Sequence, residues 1–140
     1  MYSRKNNKLV LAACVVVLLN LSSCKKYEDG PSLSLKSKNS RLTGEWKVDE
    51  IDNVSASATF GGSMTLEFEK DGDFSYTTSY SYDGASYSYS YEGEWDWEDG
   101  KKSVEIDIDG EDKTEFEILK LTNKEFWFED EDGQEWHCEK

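Results

Sequence analysis

Residues 73–97 read DFSYTTSYSYDGASYSYSYEGEWDW. Aromatic and polar letters alternate on both sides of Asp83-Gly84. A period of two puts aromatic rings on one face of an extended strand and hydroxyls on the other. Asp-Gly is the favoured pair for a two-residue type I′ turn, because both central residues need positive φ. The register then follows from the letters. Tyr82 is predicted to pair with Ala85, Tyr80 with Tyr87, Thr78 with Tyr89 and Tyr76 with Tyr91. A slip of one residue would scatter the rings over both faces, so turn and pattern specify the same hairpin. Facing side-chain pairs of this kind stabilise a sheet by roughly 0.2–1 kcal/mol each.

The same argument applied to Asp99-Gly100 as a two-residue turn sets Trp97 opposite Lys102, Trp95 opposite Val104 and Gly93 opposite Ile106. Gly93 also falls opposite Phe74, where the missing side chain suggests a bend or a close backbone approach.

Other alternating runs extend outward from this hairpin. Gly44–Ile51 turns Trp46 and Val48 inward, and Ser63–Glu69 does the same with Met64, Leu66 and Phe68. Ser103–Asp109 contributes Val104, Ile106 and Ile108, and Thr114–Leu121 contributes Phe116 and Ile118. Glu125–Glu129 and Gln134–Glu139 add Phe126, Phe128, Trp136 and Cys138. Asp52–Gly61, with its small residues and Gly61-Gly62, reads as a longer loop. Each joint carries Gly, Asp or Asn, and three-residue turns near Asp71, Glu111 and Asp132 keep the inward faces in phase. The fold class is therefore all-β, and the simplest closure without edges is an eight-stranded antiparallel up-and-down β-barrel. A two-sheet sandwich is the alternative. A membrane-spanning barrel is excluded by its outer face, because Glu67, Glu69, Glu92, Glu94, Asp96, Glu105 and Asp107 cannot face lipid.

The first residues are of another kind. Arg4, Lys5 and Lys8 precede the apolar run 9–19, which is too short to span a bilayer comfortably. Leu21-Ser22-Ser23-Cys24 follows, and this order resembles the lipobox of bacterial lipoprotein signal peptides. The resemblance implies a leader over 1–23, lipidation of Cys24 and anchoring to a membrane. Lys25-Lys26-Tyr27-Glu28-Asp29 is similar to the surface-export signal of Bacteroidota lipoproteins. Residues 24–41 read as a lipidated tether, with a flexible spacer up to about Ser40. The net charge of −14 becomes about −17 once Arg4, Lys5 and Lys8 are removed, which argues against nucleic acid as a partner. Cys14 leaves with the leader and Cys24 takes lipid, so Cys138 stands alone and no disulfide framework exists.

Gly44-Glu45-Trp46 on the first strand is similar to the Gly-x-Trp signature of lipocalins. Together with the strand order, the lipobox and the ending LTNKEFWFE, it resembles the small lipocalin-like lipoproteins of Bacteroidota over residues 42–140. The resemblance implies a barrel closed at one end by Trp46, with Trp95 and Trp97 in the same cluster, and open at the other. The chain departs from the classical family in being shorter, in lacking a C-terminal helix and in having no paired cysteines.

By turn parity, Tyr80, Tyr82, Tyr87 and Tyr89 fall at the open end, above Tyr76. Tyrosine offers a flat apolar face and one hydroxyl, which suits a small apolar or amphipathic ligand. Two other readings stay open: the rings fill the barrel, or the tip contacts a protein or glycan as antibody loops of similar composition do. No enzyme is expected, since most carboxylates point outward and an acid/base pair is hard to assemble. Lys102 and Lys120 fall in the inward phase, His137 in the outward phase beside Trp127, and Cys138 inside. Asp107–Asp112 lacks the ligand spacing of a calcium loop, so no metal and no cofactor are expected. The sequence thus describes a lipid-anchored lipocalin-like binding protein. It is expected to be a monomer at the outer membrane, exposed at the cell surface if the export signal acts. A filled interaction module is the alternative.

Overall fold

A computed structural model describes residues 36–140. The expected leader, Cys24 and the expected spacer up to residue 35 lie outside the described residues. The elements are α1 (Lys38–Leu42), β1 (Gly44–Ile51), β2 (Val54–Ser55), α2 (Ala56–Phe60), β3 (Gly62–Phe68), β4 (Asp73–Tyr82), β5 (Ala85–Glu98), β6 (Ser103–Ile108), β7 (Thr114–Leu121), β8 (Glu125–Glu129) and β9 (Glu135–Glu139). All neighbouring strands are antiparallel, and β1 pairs with β9 as well as with β3. That pairing closes an eight-stranded barrel, with the two-residue β2 as an extra strand along the end of β1.

The β4–β5 register is the one read from the letters, from Tyr82↔Ala85 down to Phe74↔Gly93. Asp83 and Gly84 have φ of 50° and 77°, as a type I′ turn requires. On the polar face the hydroxyls pair across the ladder: Thr77–Ser90 at 2.7 Å, Ser79–Ser88 at 3.0 Å and Ser81–Ser86 at 3.4 Å. On the ring face Tyr76 stacks on Tyr91 at 4.7 Å and Tyr80 on Tyr87 at 5.4 Å.

The next hairpin differs from expectation by two residues. Trp97 faces Val104, Trp95 faces Ile106 and Gly93 faces Ile108. Asp99, Gly100 and Lys101 all have positive φ, and the Lys101 N–H bonds to the Glu98 carbonyl, so four residues make the turn instead of two. A shift of two leaves every side chain on its own face, which is why the core prediction survives the wrong turn.

Lys120 is a correction of another sort. Simple alternation from Phe116 and Ile118 points it inward. The β7–β8 register slips between Ile118 and Lys120, so one residue is extra. This bulge reverses the phase: Leu121 becomes fully buried, and Lys120 turns outward with its ammonium 4.1 Å from the Trp127 ring centre. A second bulge between Val48 and Glu50 does the same for β1 and brings Ile51 inward.

The core is aromatic. Phe68 touches Phe74, Trp95 and Phe126 at 5.0–5.8 Å, and Trp46 meets Phe126 at 5.6 Å. Two short helices finish the ends. Residues 38–41, the last of the expected spacer, are the start of α1, capped by the Ser37 hydroxyl. Its Leu42 is buried and its carbonyl accepts the Trp46 indole N–H at 2.6 Å. The expected loop 52–61 contains β2 and α2, with Ser55 as N-cap and Gly61 as left-handed C-cap. No described helix is long and apolar enough to cross a membrane.

Gly93 is where the flap made by β4 and β5 enters the barrel. A Cβ there would strike the Asp107 carbonyl and come within 2.9 Å of the Ile108 Cα. Gly93→Ala is therefore expected to destabilise the domain by about 1–3 kcal/mol through overpacking. Urea unfolding followed by tryptophan fluorescence measures it, with an unchanged midpoint as the contrary result.

Candidate functional site

The sequence expects a mouth lined by Tyr76, Tyr80, Tyr82, Tyr87 and Tyr89. The structure places all five on one face of the flap, continuous with the inward-facing Phe74, because β4 and β5 keep their alternation without a bulge. Tyr91, not anticipated as a site residue, belongs to the same face. Its odd number in the same alternating run was the available signal.

The face changes character along its length. Tyr76 is half-buried and leans on Phe74, while Tyr80, Tyr87 and Tyr89 are 37%, 42% and 51% exposed and Tyr82, at the tip, 72%. Burial raises the Tyr76 hydroxyl above the ordinary phenol range, and the negative charge of Glu111 and then Tyr91 push the same way. That places the β6–β7 turn beside the foot of the tyrosine wall. Tyr80 is raised as well, first by its side-chain hydrogen bond with Tyr89. The upper rings stack on one another, Tyr80 on Tyr87 at 5.4 Å and on Tyr89 at 6.2 Å.

Below the wall the barrel end is filled. Phe116 stacks on Phe128 at 4.2 Å, Phe128 on Trp136 at 5.7 Å, and Trp136 meets Phe60 of α2 at 6.1 Å. Ala56 of α2 is buried in the same core. The Trp136 indole donates to the Asp130 carboxylate at 2.8 Å, which fixes the plate of rings in place. A shallow cleft of about 380 Å³ lies on the other, hydroxyl-bearing face of the flap, lined by Ser63, Ser79, Ser81, Ser86 and Ser88, and so does not belong to the ring face. A ligand at this end would rest on the wall and the aromatic plate, outside the barrel axis.

At the opposite end Trp46 is wholly buried and Trp95 nearly so, its indole donating to the Glu69 carbonyl at 2.9 Å. Trp97 sits farther out, half-exposed, and donates to Asn39 of α1 at 2.9 Å. Lys140 lies over the Trp46 ring at 4.2 Å and donates to the carbonyls of Arg41 and Thr43. Burial lowers its affinity for a proton. Sequence reasoning found the three tryptophans and missed the helix and the lysine that seal them.

The remaining reactive groups stand apart. Cys138 is buried, and burial pushes its thiol well above the ordinary range. His137 faces outward, stacked on Trp127 at 4.1 Å and bonded to Glu135 at 2.8 Å.

Residues 42–128 match the lipocalin-like domain family, and the chain belongs to that family. Its fold is similar to that of a lipocalin-like protein from Bacteroides uniformis, at 18% identity and TM-score 0.54, covering 71% of this chain and 98% of that one. A candidate lipoprotein from Shewanella oneidensis (16% identity, TM-score 0.44, 72% and 83% covered) and an odorant-binding protein (17%, 0.44, 76% and 76%) are more distant. No curated protein matches the sequence. Lipocalin-like domains are typically ligand-binding and generally non-enzymatic.

Tyr76 gives a pH-dependence with a definite sign. Its folded pKa lies above the unfolded phenol value of about 10, so its contribution to stability is complete below that pH and is lost as pH rises through the raised value. Absorbance at 295 nm is expected to show two phenols, Tyr76 and Tyr80, ionising late, and the Tyr76 ionisation is the one that answers to Glu111. In Glu111→Gln that ionisation moves to lower pH, whereas an unmoved curve would separate Glu111 from Tyr76.

Proposed function

We propose that this chain is a lipid-anchored binding protein that holds a small amphipathic molecule against its tyrosine wall. In this reading residues 1–23 are a cleaved leader, Cys24 carries the lipid, residues 24–41 link it to the domain, and 42–140 are the lipocalin-like barrel. The outer membrane is the proposed location, with surface exposure through the export signal at Lys25–Asp29. Support for the anchor is the order of basic, apolar and small residues before Cys24.

One observation carries the binding site: Tyr80, Tyr82, Tyr87, Tyr89 and Tyr91 are exposed together on one face of the flap, stacked on one another. Apolar rings left in water on a soluble face mark interaction sites more often than chance surface does. Their hydroxyls give such a guest its polar contacts. The filled barrel favours a second reading, in which the wall receives a protein or a glycan. A macromolecule needs no interior space, and tyrosine ordering costs little entropy.

Two measurements test these proposals. Fluorescence titration with a fatty acid, a sterol and cholate is expected to saturate for at least one. Tyr80→Ala and Tyr87→Ala should then each weaken binding roughly 2- to 12-fold, from about 0.5–1.5 kcal/mol per ring contact. No saturable response to any of the three would remove the small-molecule reading and leave the macromolecular one. Separately, labelled palmitate is expected to enter the wild-type chain and not Cys24→Ala, which should leave the membrane pellet. Equal labelling of the two would reject the anchor.

A further inference from the structure

The barrel closes, but one strand outruns its neighbour. β6 pairs with β5 only from Gly93 to Glu98, and no described strand lies beside Ala85–Glu92 on that side. The Trp95 N–H bonds to the Gly72 carbonyl, on the β4 side. Backbone direction alternates in an antiparallel ladder, so even-numbered residues present N–H and C=O away from β4. Ser86, Ser88, Ser90 and Glu92 therefore offer donors and acceptors to the free edge. Native proteins blunt such edges with lysine, proline or bulges. Ala85–Tyr91 has none of these.

We infer that this edge pairs with the same edge of a second copy, antiparallel about a twofold axis at Ser88. Two observations name the occupant. First, β5 already shows what it accepts: from β4 it takes tyrosine against tyrosine and hydroxyl against hydroxyl. In β5 the tyrosines are odd-numbered and the serines even-numbered. A twofold pairing centred on Ser88 sets Ser86 against Ser90 and Tyr87 against Tyr89, which repeats those matches. Second, the charges agree. Elsewhere on the outer wall acids stand opposite acids, as in Asp73↔Glu94↔Asp107. The free edge carries no charge from Ala85 to Tyr91, and the Ser88 register sets Glu92 against Gly84. A cationic peptide would find no complementary row along this edge, while a second copy sets no charge directly opposite another there. The interface uses the backbone edge and not the tyrosine face, so it is independent of the ligand reading. It replaces the monomer expected from sequence.

The test uses the full chain in detergent, measured by sedimentation over a range of concentration and salt. A dimer is expected that strengthens with salt, because the two copies share a net charge of −14. Ser88→Pro removes an N–H aimed at the edge and spares the β4 ladder, and Ser88→Lys sets two ammoniums face to face. Either variant is expected to weaken dimerisation at least tenfold while keeping the parent's thermal midpoint within a few degrees. Under mild oxidation Ser88→Cys is expected to crosslink far more than the parent chain or Ser79→Cys, which lies on β4. A chain that stays monomeric at every concentration and salt, or equal crosslinking at 79 and 88, overturns the proposal. So does a dimer indifferent to both Ser88→Pro and Ser88→Lys.

Discussion

Each residue of a strand has two ways to face, and a barrel of this size works only if eight strands give consistent answers. In this chain consistency is maintained by turns of suitable length and by two bulges. The three-residue connections at 70–72 and 131–133 and the five-residue one at 109–113 carry the phase across. Where simple alternation would have driven Lys120 into the core, an added residue in β7 reverses the phase and puts Leu121 there instead. The rings of Trp46, Phe68 and Phe126 meet because of this bookkeeping along the backbone.

The outer wall shows the cost of the same regularity. Asp96, Glu105 and Glu115 stand in one row, directly opposite one another, as do Asp73, Glu94 and Asp107. Like charges in facing positions are destabilising. Lys113 relieves part of this, bonding to Glu105 and lying 3.5 Å from Asp107. An aromatic interior without disulfides among the described residues holds the wall together despite that repulsion. The flap escapes it, since its polar face is built of serine and threonine hydroxyls that bond to each other.

Much of this fold was legible because it is written in local pattern. The Asp83-Gly84 turn, the tyrosine ladder, the gap at Gly93 and the inward residues of each strand up to its bulge follow from alternation and turn chemistry. What escaped has a common physical cause, which is that it depends on contacts distant in the chain. The four-residue turn at 99–102 differs from a two-residue one only in backbone angles. The bulges answer to core packing and have no signature letter. Helix α1 exists because Leu42, Asn39 and Arg41 find partners in Trp46, Trp97 and the Leu121 carbonyl. Five residues alone would not hold a helix. The site divides the same way: the wall was readable, while the plate of Phe60 and Trp136 beneath it required knowing where α2 folds back.

Lys140 reaches Arg41 and Thr43, and α1 lies at the same pole, so the polypeptide enters and reaches its last residue side by side. The tip at Asp83-Gly84 occupies the other pole. A pull on the chain ahead of Lys36 therefore acts from beneath the molecule, at the pole opposite the crown of rings. A tag joined after Lys140 would crowd the base, while the crown would stay clear.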